Sequence, residues 1–172
     1  MRYKFTDAIA VAGEIVSWLK PYCKKIMIAG SLRREKAEVG DIEILCIPRL
    51  GYRDEVHYHI MYLIRNRFLD YRLNKKGSRT YGKQNKLLVH CESGIPLDVF
   101  SVSEEAWAMG LLIRTGSKMF NIRLCMQAKK LGFHIKPYSG IIDQRGNLLK
   151  PKTEEEIFEL LKLDYISPEK RI

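Results

Sequence analysis

The chain has 172 residues, 46% hydrophobic and 29% charged, which is enough apolar material for a packed core and argues against wholesale disorder. Its 30 Lys and Arg against 20 Asp and Glu leave a formal charge of +10, a bias toward polyanionic partners such as nucleic acid or nucleotide. No apolar run approaches the roughly 20 residues of a membrane span and the N-terminal MRYKFTDA lacks a signal-peptide pattern, so a soluble, cytoplasmic protein is expected.

Apolar residues at helical spacing predict a first helix over Phe5–Leu19, with Thr6 or Asp7 placed to cap it and Pro21 beyond its end. KIMIA (25–29) predicts a short strand ending at Gly30-Ser31, and VGDIEILCI (39–47) alternates as a second strand stopped by Pro48. A helix is expected over 54–68, then strands over 86–91 and 95–102 joined by Glu92-Ser93-Gly94. Beyond residue 102 the pattern turns helical. Ser103 is placed to cap one helix, and a second runs over 117–131 with Gly132 at its C-terminal stop. Residues 141–149 read as a hairpin, and Thr153 followed by three glutamates is a capped helix start. The four cysteines, Cys23, Cys46, Cys91 and Cys125, form no metal-binding spacing, and the four histidines are given no role. Trp107 and Met109 are assigned to the core. The fold class is therefore α/β (α+β), with an α/β first lobe ending near residue 102 and a smaller, mainly helical second lobe.

The segment GSLRREKAEVGDIE (30–43) joins a Gly-Ser turn and a basic cluster to two carboxylates. On a strand, residues two apart share a face, so Asp41 and Glu43 project together while Ile42 and Ile44 serve the core. Adjacent carboxylates repel unless a cation lies between them, and a hard divalent ion meets that need. Asp98, in IPLDVFSV, is a third acid in a strand-like run; were the two strands neighbours, the three could hold two metal ions. A Gly-Ser turn offers backbone N–H groups to an anion, and Arg33 and Arg34 can add guanidinium contacts to phosphate. As isolated spacings, the same residues equally suit a solvated sheet face and an ordinary loop.

In order, these stretches resemble the family X DNA polymerases, the DNA polymerase β group of nucleotidyltransferases. GSLRREKAEVGDIE has the form of that family's GS-x-RR…GD-x-[DE] signature, Asp98 in PLDVFSV fits its third catalytic acid, and RTGSKMFN (114–121) fits its nucleotide-binding TGS…N segment. The C-terminal EEEIFELLKLDYISPEKR resembles the family's closing segment. The resemblance implies a nucleotidyltransferase palm over residues 1–102, a mixed sheet flanked by helices, and a thumb over 103–172. It also implies DNA-directed DNA synthesis of the repair type on gapped or recessed template–primer DNA with dNTP substrates. A template-independent nucleotidyltransferase is the alternative. With only about 29 residues before Gly30, a reduced palm-plus-thumb form without lyase activity, working as a monomer, is expected.

Carried over residue by residue, the pattern makes Asp41, Glu43 and Asp98 catalytic acids that hold two Mg²⁺ ions, with Mn²⁺ as a possible substitute. Gly30, Ser31, Arg34 and Gly40 would hold the β and γ phosphates. Thr115 and Gly116 would pass along the sugar, with Asn121 near the base edge or minor groove. Three departures stand out. Glu43 replaces a frequent Asp. Ile113-Arg114 replaces an aromatic pair, which predicts weaker rejection of ribonucleotides. Cys125 stands where some members have a template-contacting arginine. From Arg65 to Lys86 eight basic residues face one acid, Asp70, with Tyr71 and Tyr81 interleaved. Arg72, Lys75, Lys76, Arg79 and Lys83 from this stretch, with Lys118 and Arg123 from the second lobe, are the candidate DNA contacts.

Overall fold

The computed structural model describes residues 1–49 and 54–172. The chain divides into two compact units, Met1–Ser101 and Val102–Ile172.

In the first unit β1 (Tyr3–Lys4) leads directly into α1 (Phe5–Leu19), followed by β2 (Cys23–Ile28), α2 (Gly30–Arg33), β3 (Glu38–Val39) and β4 (Ile42–Pro48). Then come α3 (Glu55–Arg65), β5 (Leu69–Tyr71), β6 (Asn85–His90) and β7 (Pro96–Ser101). Five strands form one sheet in the order β2-β4-β7-β6-β5. β4 and β7 run parallel, and the other neighbours are antiparallel. One face carries the core: Ile42, Ile44, Leu88, Leu97 and Val99 pack with Ala8, Ala12, Ile15 and Leu19 of α1 and with Val56, Ile60 and Leu63 of α3. The strict alternation of burial along β6 reflects a sheet with one covered and one more open face.

Several elements differ from the sequence reading, each for a local reason. α1 spans the expected residues, but its N-cap is Lys4 in an extended conformation, and the Thr6 hydroxyl instead donates to Asp7. The strand foreseen over 39–47 is two pieces: β3 pairs with β1, the chain breaks at Gly40-Asp41, and β4 joins the large sheet. α3 is shorter than expected; Asp54 is its N-cap, accepting from the His57 N–H at 3.0 Å. β5 has only three residues, too few to carry a periodicity signal.

The second unit contains α4 (Trp107–Thr115), α5 (Lys118–Lys130), β8 (His134–Lys136), β9 (Gly140–Ile142), β10 (Leu148–Leu149) and α6 (Glu154–Leu160). The foreseen hairpin gains a third strand, giving the antiparallel order β10-β9-β8. Met109, Leu112, Phe120, Leu124, Ile135, Ile141, Ile157 and Phe158 form the core here. Ser117 caps α5 through Phe120 N–H at 3.0 Å, Thr153 caps α6 through Glu156 N–H at 3.2 Å, and Ser103 makes no side-chain cap. Gly132 follows α5 at φ +74, the left-handed stop expected of it. Among the described residues, no helix is long and apolar enough to cross a membrane.

Candidate active site

The parallel pairing of β4 with β7 sets Glu43 opposite Asp98 as Cα partners. Cross-strand partners share a face, so both acids lie on the more open side of the sheet, away from the α1–α3 core. β6 continues the row with Leu87, the partner of Asp98. Arg72 completes it from just past β5, its N–H bonded to Leu87 O at 3.1 Å. Asp41 precedes β4 by one residue, half-buried beside this row's end, and Gly40 is exposed.

Two neighbours hold the acids. The Arg72 guanidinium forms an ion pair with Asp98 Oδ1 through Nη2 and donates through Nε to Leu88 O at 3.3 Å. Glu43 leans the other way. A methyl group at Gly30 would lie 2.0 Å from Glu43 Oε2 and push that carboxylate aside, and φ +61 favours glycine on backbone grounds. The turn is fastened to β4 through the Ala29 N–H, which donates to Glu43 O at 2.8 Å. Arg34, half-buried, closes the turn through its N–H to Gly30 O at 3.3 Å. Burial pushes the Arg34 pKa down, and the Glu43 carboxylate opposes that shift. Ser31 is half-buried in α2, and its carbonyl accepts from Lys36 N–H at 3.1 Å.

Because Glu43 turns toward Gly30 and Asp98 toward Arg72, no three Asp, Glu, His or Cys side chains among the described residues converge as a metal cluster. The donor chemistry nevertheless suits a hard divalent cation: carboxylate oxygens on two in-register strands, with a third acid two residues before Glu43. An ion taking Asp98 Oδ1 would have to displace Arg72.

In the second unit, the TGS turn joins α4 to α5. Thr115 is buried. A Cβ on Gly116 would meet Phe120 Cδ1 at 2.4 Å and Asn121 Oδ1 at 2.6 Å, so glycine lets the turn close over these side chains. Asn121 donates through Nδ2 to Ile113 O at 2.8 Å, while its buried Oδ1 has no hydrogen-bond partner among the described residues. Arg114 contacts the Tyr138 hydroxyl and lies 5.5 Å from that ring's centroid. The departure from an aromatic pair before TGS is thus accompanied by an aromatic ring from the β8–β9 turn.

The basic stretch is an ordered loop. Asn74 Oδ1 accepts from the N–H groups of Lys76 and Ser78 at 2.9 and 3.2 Å, and its Nδ2 donates to Ser78 and Thr80 hydroxyls. This presents Lys75, Lys76, Arg79 and Lys83 to solvent, with Arg79 4.6 Å from the Tyr71 ring centroid. Lys86 departs from its basic neighbours: it lies on the core face of β6, fully buried, 3.9 Å from Asp54 Oδ2. Lys118 and Arg123 are exposed on α5, and Arg123 reaches Ile172 O at 3.5 Å.

The family model for the DNA polymerase beta thumb matches residues 110–172, which include the TGS turn and α5. Repair DNA polymerase X of African swine fever virus (isolate Warthog/Namibia/Wart80/1980) is 27% identical over 154 residues, covering 90% of this chain and 85% of the viral protein. The same protein of the Badajoz 1971 Vero-adapted strain is 27% identical over 155 residues, with the same shares covered. These similarities support a family X DNA polymerase. The mixed sheet flanked by helices, followed by a small unit of helices and short strands, accords with the palm-and-thumb plan of that family.

Proposed function

We propose that the chain is a DNA-directed DNA polymerase of the repair type, a nucleotidyltransferase that adds dNMP to a primer 3′-hydroxyl in gapped or recessed DNA. The observation that carries the reading is the register of β4 against β7, which sets Glu43 beside Asp98 on an open sheet face next to the Gly30-Ser31 turn. In the reaction the primer 3′-oxygen bonds to the α-phosphorus of the dNTP, the bond from that phosphorus to the bridging oxygen breaks, and pyrophosphate leaves.

Asp41, Glu43 and Asp98 would hold two Mg²⁺ ions, which would supply charge neutralisation and ease loss of the 3′-hydroxyl proton. Ser31, Arg34 and the backbone at Gly30 and Gly40 would orient the β and γ phosphates. Thr115 and Gly116 would guide the sugar, and the buried Asn121 Oδ1, without a partner among protein groups, is available to a base edge once its turn shifts. Catalysis on this plan is positioning and electrostatic stabilisation. Lys75, Lys76, Arg79 and Lys83 of the Asn74-organised loop, and Lys118 and Arg123 of α5, supply the sequence-independent grip on DNA phosphates.

The test is single-nucleotide incorporation on a labelled one-nucleotide-gapped duplex, each dNTP offered separately with Mg²⁺, beside the same primer single-stranded. Extension that requires the gap and follows its template base is the expected result. Equal extension without template would replace the reading by terminal transfer.

A further inference from the structure

We propose that Arg72 is a positioning residue for Asp98, a placeholder cation that occupies the carboxylate until a divalent ion takes its place. The inference rests on the metal-dependent reading above and adds a residue to it.

The geometry is specific. Glu43 and Asp98 are Cα partners on adjacent strands and their charges repel. In the ligand-free chain, Arg72 supplies the opposite charge at Asp98 Oδ1. Its backbone is fixed by the N–H bond to Leu87 O, and its Nε by the bond to Leu88 O, so the guanidinium is tethered to β6 beside Asp98 instead of reaching freely outward. Arg34 serves the other carboxylate, since Glu43 is the charge that favours its protonated form. Each strand acid thus has its own arginine, one from the turn after β2 and one from the end of β5.

The pair is built to exchange. Side-chain exposure is 30% for Arg72 and 14% for Asp98, so neither group is sealed from water and the pair can exchange partners. A guanidinium and a divalent cation beside one carboxylate repel each other, so an ion arriving at Asp98 competes with Arg72 for it. Before that event it keeps the carboxylate aimed along the row and offsets its repulsion with Glu43. Arg72 therefore has a role at Asp98 that a phosphate-gripping arginine on the neighbouring loop would not have.

The experiment is a Mn²⁺ titration of the full chain without DNA or nucleotide, following free Mn²⁺ by electron paramagnetic resonance. The proteins compared are the unaltered chain, Arg72→Gln, Arg72→Lys and Asp98→Asn. Removing the competing charge in Arg72→Gln is expected to tighten Mn²⁺ binding about threefold to tenfold. Arg72→Lys, which keeps the charge but loses the fork that also reaches Leu88, falls between the two and covers the case in which Arg72→Gln fails to fold. Asp98→Asn weakens binding. A purely structural role for Arg72 predicts unchanged or weaker binding in both Arg72 variants. That outcome, with Asp98→Asn still weakening, overturns the placeholder role and leaves the metal reading standing. Mn²⁺ binding indifferent to Asp98→Asn sinks both.

Discussion

Two arginine–carboxylate pairs, one in each unit, use the same chemistry at different depths. In the second unit Arg171 and Glu154 have side-chain exposures of 0% and 6% and meet through two bonds of 2.8 and 3.1 Å. Arg171 Nε also donates to Ile166 O at 2.8 Å, and the rings of Phe120, Phe158 and Tyr165 lie 5.5 to 5.6 Å from its guanidinium carbon. Its Nε, Nη1 and Nη2 all donate, and it fastens the C-terminus to α6. Arg72 and Asp98 in the first unit keep contact with solvent and meet at Asp98 Oδ1. Depth separates their roles: a sealed pair closes a core, whereas a half-open pair can change partners.

The largest expected effect of breaking this symmetry is on activity. Asp98→Asn should lower nucleotide incorporation by about 10³-fold, the scale of losing a main electrostatic contributor in an active site. Thermal unfolding should barely move, because Arg72 left alone is exposed enough to be solvated. Comparable incorporation by this variant in single-turnover assays would remove Asp98 from the catalytic set.

The opposite profile is expected at the sealed pair. Glu154→Leu leaves Arg171 charged and buried with no counter-ion, a loss of about 3–5 kcal/mol in denaturant unfolding. Replacing both, as Glu154→Leu with Arg171→Met, should recover most of that loss, since no buried charge is then left without a partner. A double variant as unstable as the single one would show that the aromatic cage, and not the ion pair, holds the C-terminus.

Between these extremes lies Gly30. Gly30→Ala places a methyl group 2.0 Å from Glu43 Oε2 at φ +61. The backbone conformation alone costs about 1–2 kcal/mol. The Glu43 carboxylate must also shift, so activity should fall further than stability accounts for. Activity retained in proportion to the folded fraction would mean that the position of Glu43 against the turn has no catalytic consequence.

How far these contrasts can be read before folding depends on how local their causes are. α1 follows from apolar spacing over fifteen residues, and the caps at Ser117 and Thr153 follow from side chains three positions from the N–H they bind. The candidate acids stand out as a short pattern, but nothing in the chain says that Glu43 and Asp98 will be register partners, because that depends on how β4 meets β7. Arg72 is less legible still: its partner is 26 residues away, and β5, which delivers it, is three residues long. Lys86 is the reverse case. In NKLLVH it keeps phase with Leu88 and His90, both buried, and the alternation already places it inside despite its basic neighbours.

Lys86 supplies the smallest and most pH-specific test, because it combines the burial of Arg171 with a weaker pairing than either arginine has. Its ammonium is fully enclosed, 3.9 Å from Asp54 Oδ2, 3.3 Å from Lys83 O and 5.9 Å from the Tyr81 ring centroid. Burial pushes its pKa below the ordinary lysine value of 10.5, with the nearby Asp54 carboxylate opposing the shift. In the window between the lowered folded value and 10.5, the unfolded chain binds more protons than the folded one, so this group makes stability rise with pH. As pH falls through that window the contribution is lost, and below the folded value the cost is constant. Lys86→Met removes the buried charge and leaves Asp54 about a quarter exposed, able to hydrate and still cap α3. The variant should be about 1 kcal/mol more stable at neutral pH, an advantage that shrinks as the pH approaches the ordinary lysine value. Parallel denaturant titrations of both proteins at neutral and alkaline pH measure it as a difference, in which other lysines and tyrosines cancel. A variant less stable at neutral pH, by an amount independent of pH, would show that the Lys86 ammonium is fully compensated by Asp54 and the Lys83 carbonyl, and that a buried cation here needs no second carboxylate oxygen.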